Sequence, residues 1–227
     1  MLYLIYTFLA GFCIPFISRR LGKILPATTG VILFQLLHFP RFPHAHNPLQ
    51  HALFCHKWKQ LLIAAMFLGL CNAALCFCAH QYLPSNLFPY SVFFIWVMLC
   101  AADVDMRYLL LPDCLTLPLL MVGFLFALQT DALTPIQSLY GSFFAYTITA
   151  LSVFVVSFMG SNLFGAGDSK MAIALGAWLG IQGLNYAIFL SFFVFVIYAF
   201  FAHRRSGAYG PALGLASLFS FFILYIK

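Results

Sequence analysis

The chain holds only five acidic residues, all aspartate, and no glutamate. Three of them, Asp103, Asp105 and Asp113, fall in Asp-Val-Asp-Met-Arg-Tyr-Leu-Leu-Leu-Pro-Asp, and Asp168 falls in Phe-Gly-Ala-Gly-Asp-Ser-Lys. Asp131 stands apart. Ionisable groups beside hydrocarbon are expensive, so in a chain this apolar they mark a functional site by default. Asp105 and Asp168 are the pair that can do chemistry together. Two carboxylates held close cannot both ionise cheaply, so they share a proton. Such a pair can hold a water between a base and an acid. The ionised Asp takes a proton from water, the protonated Asp polarises a carbonyl, and the roles then exchange. That is amide hydrolysis by two aspartates.

The neighbouring residues fit a site, and each has a plainer reading. Gly165 and Gly167 flank Ala166 just ahead of Asp168, and glycine permits positive φ and close approach of another backbone. Lys170 either sets the local field or snorkels to the interface. Asp168 alone could be a helix N-cap, and the cap reading is preferred for Asp113, which follows Pro112. Asp103 and Asp105 are two residues apart, so on a helix only one of them readily faces Asp168. Asp103 is left to hydrate the loop, to support Asp105, or to replace it.

These residues must be positioned by a membrane fold. The 227 residues are 64% hydrophobic and 7% charged, against roughly 25% charged in a soluble domain. Long unbroken apolar runs argue for helices, and the alternating pattern of barrel strands is absent. The expectation is an all-α polytopic integral membrane protein. A first apolar segment at 2–18, read as an uncleaved anchor, is followed by a basic, His- and Pro-rich stretch over 19–59. Seven further spans are expected near 60–79, 89–104, 112–129, 138–160, 169–182, 183–202 and 210–226, eight in all. The division near Gly180-Ile-Gln-Gly183 is the least marked. Residues 1–59 thus form an N-terminal helix plus a basic loop, in which 25–37 suits an interfacial piece, and 60–227 form the membrane-embedded unit. With the 19–59 stretch in the cytoplasm, ten of the eleven Lys and Arg fall on that face. The two Asp-bearing segments then share it, and both termini face the periplasm. The net charge of +6 therefore orients the chain and implies no nucleic-acid partner; the non-protein partner is membrane lipid.

No metal is expected. His38, His44, His46, His51, His56 and Cys55 match no familiar ligand spacing and are broken up by Pro40, Pro43 and Pro48. The other cysteines read as small buried hydrophobes.

The two Asp segments resemble those of the type IV prepilin peptidases, a family of integral-membrane aspartic proteases with a Gly-x-Gly-Asp signature. The resemblance rests on Asp105-x7-Asp113, on Gly165-Ala-Gly-Asp168-Ser-Lys170, and more weakly on Tyr209-Gly-Pro-Ala-Leu-Gly214. It covers residues 95–215 well and the first 60 poorly. It implies that Asp105 and Asp168 are the catalytic pair, with Gly165, Gly167, Lys170, Asp113 and Asp103 in support. It implies cleavage, after a glycine, of the basic leader of prepilins or pseudopilins at the cytoplasmic face of the bacterial inner membrane. Many members then methylate the new N-terminus with S-adenosylmethionine. Two departures matter. Arg107 stands where many members carry a second Asp, and this chain has Asp103 instead. The first loop offers Cys55 in place of the usual two Cys-x-x-Cys pairs, which leaves methyl transfer open. The rival reading from another class is a proton- or cation-coupled transporter using the same carboxylates; a third is an inactive scaffold of a secretion assembly.

Overall fold

The computed structural model describes residues 2–24, 48–158, 166–202 and 209–226. Among these, seven helices and no strand are found: α1 (Leu2–Ile24), α2 (Pro48–Tyr82), α3 (Phe88–Tyr108), α4 (Asp113–Gln129), α5 (Pro135–Phe158), α6 (Ala166–Ala202) and α7 (Gly210–Tyr225). Five contain stretches long and apolar enough to cross a membrane, and α4 and α7 are shorter apolar helices. The chain is an all-α, multi-pass membrane protein. Helices are the natural outcome, because lipid offers no partner for a free backbone group. The polar stretch expected over 19–59 is shorter than its sequence suggested, because α1 and α2 extend into it from either side. The expected interfacial piece at 25–37, His38, His44 and His46 lie outside the described residues, as do the side chains of His51, Cys55 and His56.

The first pair of helices is zipped by small residues. A Cβ on Gly11 of α1 would stand 2.6 Å from the Asn72 Cβ and 2.8 Å from the Leu68 carbonyl of α2. Asn72 donates to the Thr7 carbonyl at 2.6 Å, and Trp96 of α3 donates to the Ala10 carbonyl at 3.0 Å. Small residues and interhelical hydrogen bonds are what hold helices together where the solvent is as apolar as the side chains.

Helix α6 turns back on itself at Gly180, where φ is 61° and ψ is −171°, a region open essentially to glycine alone. A straight helix would carry Ser191 about 35 Å from Asp168. Instead the Ser191 hydroxyl meets the Tyr209 hydroxyl at 2.5 Å, next to the N-terminus of α7 beside Asp105. Near the other end of α7, a Cβ on Gly183 would strike the Leu224 side chain. The second half of α6 therefore runs antiparallel to α7, and the first half runs with it. The two spans read from the sequence on either side of Gly180 are two arms of one hairpin.

The reversal frees carbonyls at the end of the first arm. Ser138 of α5 donates to the Ala177 carbonyl at 2.7 Å, and Tyr225 of α7 donates to the Trp178 carbonyl at 2.8 Å. Trp178 is fully buried among Phe94, Phe126 and Phe221, and its indole N–H donates to the Leu119 carbonyl at 2.7 Å. On the opposite side a Cβ at Gly176 would stand 2.4 Å from the Gly141 carbonyl, so α5 and α6 touch backbone to backbone. The first arm is thereby fixed along its length, and Asp168 sits at its start.

Candidate active site

Asp105 lies in the last turn of α3 and is buried. Its carbonyl accepts the Leu109 N–H at 2.9 Å, and Leu109 adopts a left-handed conformation (φ 53°) that ends the helix. Leu109 pays for this with backbone strain, since left-handed φ disfavours any residue with a Cβ. The chain then crosses Leu110, Leu111 and Pro112 to α4. Leu111 passes against the start of α6: a Cβ on Gly167 would be 2.9 Å from the Leu111 Cβ and 3.3 Å from its carbonyl oxygen. Gly167 is therefore needed for close approach of the α3–α4 linker. Gly165 lies outside the described residues.

Asp168 is in the first turn of α6, which begins at Ala166, so it is a first-turn acid and not the N-cap. A carboxylate there is favoured by the positive end of the helix dipole. Asp105 acts on Asp168 by direct charge–charge interaction, which puts the two carboxylates within electrostatic reach. They come from different helices, 63 residues apart. Two carboxylates that interact in this way share one proton more cheaply than they carry two charges.

The other two aspartates at this end are each taken by a cation. Asp113 is the first residue of α4, whose N-cap is Pro112 with no side-chain cap. The cap reading of Asp113 is thus corrected: its carboxylate pairs with Lys170 at 2.6 Å, tying the start of α4 to the first turn of α6. The Lys170 ammonium is accordingly held by Asp113. Asp103 is buried and receives both the Arg107 Nε, at 2.9 Å, and a terminal guanidinium nitrogen, at 2.8 Å. It does not hydrate a loop, and its pairing with Arg107 sets it apart from Asp105, whose charge acts on Asp168. The i,i+4 spacing of Asp103 and Arg107 was the available signal for this pairing.

A third segment joins the pair. The Gly210 N–H donates to the Asp105 Oδ2 at 2.7 Å in a buried setting. The reading of candidate site residues missed Gly210; its signal was Pro211, which sits in the first turn of α7. Tyr209, half-buried, is bonded to Ser191 and edge-packed on Phe195. Burial pushes the Tyr209 phenol up, the Ser191 hydrogen bond pulls it down by less, and the Asp168 charge raises it further. Tyr209 is therefore a neutral hydroxyl within electrostatic range of Asp168.

Among the described residues no group of three or more His, Cys, Asp or Glu is placed to hold a metal. Gly11, Gly123, Gly141, Gly176 and Gly183 have the space of their missing Cβ filled by neighbouring side chains and backbone, so these glycines offer no cradle for S-adenosylmethionine, and no methyl-transfer step is assigned to them.

Residues 92–200 match the family model of the type IV leader peptidase family. Three curated relatives are each named prepilin leader peptidase/N-methyltransferase. That of Vibrio cholerae is 35% identical over 127 residues, 55% of this chain and 50% of the relative. That of Neisseria gonorrhoeae is 38% identical over 122 residues, 52% of this chain and 42% of the relative. That of Dichelobacter nodosus is 31% identical over 150 residues, 63% of this chain and 51% of the relative. The chain thus spans about half the length of these relatives. No solved structure gives a significant match. The matched segment contains both Asp105 and Asp168, and over residues 92–200 this chain is similar to the type IV leader peptidase family.

Proposed function

We propose that the protein is a membrane aspartyl endopeptidase that removes the basic leader of type IV prepilins or pseudopilins, with Asp105 and Asp168 as the catalytic pair. The observation that carries this reading is the selective freedom of these two carboxylates. Four aspartates gather at one end of the helices; Asp103 and Asp113 are ion-paired to Arg107 and Lys170, and the Asp105 charge acts on Asp168. Water between them would lose a proton to the ionised carboxylate while the protonated one polarises the scissile carbonyl. The carboxyl that took the water proton would then protonate the departing amine. The Lys170–Asp113 pair and the Gly167–Leu111 contact would hold α6 in register with α3 and α4.

In this reading eight helical segments cross the bacterial inner membrane, counting the two arms of α6 separately, and both termini face the periplasm. Residues 60–227 form the peptidase unit and 1–59 an N-terminal helix with a basic loop. The site then lies at the cytoplasmic face, where ten of the eleven Lys and Arg collect. The basic leader would stay in the cytoplasm, and the apolar start of the substrate helix would enter sideways from the lipid. Methyl transfer from S-adenosylmethionine is the second step that the relatives' names carry, and no residue is assigned to it.

The test is reconstitution of the chain in liposomes with a prepilin, followed by mass measurement of the prepilin N-terminus. The expected product is the prepilin shortened after a glycine, and an added methyl group would reveal the second step. An intact prepilin, together with proton or cation flux across the same liposomes, would support the transporter reading instead.

A further inference from the structure

Asp105 and Asp168 look equivalent in sequence, yet their surroundings differ. The Asp105 Oδ2 accepts the Gly210 backbone N–H at 2.7 Å, in a buried setting, at the N-terminus of α7. A backbone donor favours the charged form of a carboxylate, and a helix N-terminus adds to that effect. Gly210 and Ala212 are the first N–H groups of this helix, since Pro211 has none. The spacing is tight: a Cβ on Gly210 would stand 2.6 Å from Oδ2 and 2.9 Å from the Asp105 Cβ. The donor is also anchored from behind, because Tyr209 is held by Ser191 and Phe195 on the second arm of α6. The first arm of the same hairpin carries Asp168.

We infer that the Gly210 amide is a positioning group that fixes Asp105 as the ionised member of the pair, so that Asp105 takes the proton from water and Asp168 carries the shared proton that polarises the substrate carbonyl. This rests on the peptidase reading and adds a division of labour to it. In the hydrolytic step the water O–H bond breaks toward the Asp105 oxygen while the water oxygen bonds to the carbonyl carbon. The Asp168 proton passes to the carbonyl oxygen. Among the described residues, the other titratable or charged groups on the surrounding elements include Asp168 and the Lys170–Asp113 pair, Cys114 of α4, Tyr209, Tyr108 and the Asp103–Arg107 pair of α3, Arg19 and Arg20 near the end of α1, and Lys59 of α2. The donor on the Asp105 Oδ2 is the Gly210 N–H.

The test separates the two assignments by which limb of the pH–rate profile moves. Replacing Gly210 by glycolic acid swaps the N–H for an ester oxygen and adds no bulk. If Asp105 is the ionised partner, the acid limb of kcat/KM moves up by about one pH unit and the alkaline limb stays. If the proton resides on Asp105, the acid limb stays and the alkaline limb moves, which overturns the proposal. Equal loss of rate at every pH, with neither limb moved, also overturns it, because a purely structural role predicts that result. In the unmodified protein labelled with 15N-glycine, the Gly210 amide resonance should titrate along the acid limb of activity. Titration along the alkaline limb alone contradicts the assignment. Absence of cleavage by the unmodified protein would instead defeat the peptidase reading itself.

Discussion

The first arm of α6 begins and ends in opposite ways. At Gly180 the chain breaks deep among the helices, and freed carbonyls are taken up by Ser138 and Tyr225, with Trp178 locking the turn to α4. At Asp168 the arm begins near three other aspartates, of which Asp103 and Asp113 are ion-paired to Arg107 and Lys170, while the Asp105 charge acts on Asp168. One end satisfies its polar groups to hold a shape; the other gathers acids. Stability belongs to the Gly180 end and chemistry to the Asp168 end, and each can be perturbed without the other.

The largest effect on stability is expected at Trp178. Trp178→Ala removes a fully buried ring and the bond to Leu119, and should destabilise the fold by about 3–5 kcal/mol, read as a lower melting temperature in detergent. Gly176→Val comes next. Its added carbons meet the Gly141 backbone, which cannot give way, and a loss of about 1–3 kcal/mol is expected. Tyr225→Phe leaves the ring in place and strips the donor from the Trp178 carbonyl, for about 1 kcal/mol. Lys170→Gln sharpens the comparison most. Its ion pair with Asp113 is substantially exposed, so its stability effect should stay below about 1 kcal/mol. The same change frees the first turn of α6, and leader cleavage should fall by tenfold or more, since small misplacements of reacting groups are costly to rate. Normal cleavage by Lys170→Gln, measured beside an unchanged melting temperature, would remove the pair from the positioning machinery.

Much of this was legible in the sequence. Scarcity of charge dictated a helical membrane protein, and the rarity of acids made each Asp conspicuous. Gly180-Ile-Gln-Gly183 marked a division within an otherwise continuous apolar run, and the structure puts a hairpin turn at Gly180. What escaped was pairing across helices. Asp113 was read as a cap because its local sequence suits one; its partner, Lys170, is 57 residues away, and only the fold brings them together. The Asp103–Arg107 bond is local, and its i,i+4 spacing is legible in the sequence. The Gly210 donor is a backbone group, and its one mark in the sequence is Pro211 at the helix start. The acceptors of Ser138 and Tyr225 exist only because the chain breaks between Trp178 and Ile181.

The central claim is that Asp105 and Asp168 act as one catalytic unit, and the most direct test is the N-terminal mass of a prepilin co-expressed with the unmodified protein, with Asp105→Asn or with Asp168→Asn. Asparagine keeps the shape of each side chain and removes its acid–base capacity. The account predicts a shortened prepilin with the unmodified protein and full-length prepilin with either variant, a loss of about a thousandfold or more in rate, while both variants remain in the membrane at normal levels. A prepilin shortened as usual by membrane-inserted Asp168→Asn would contradict it.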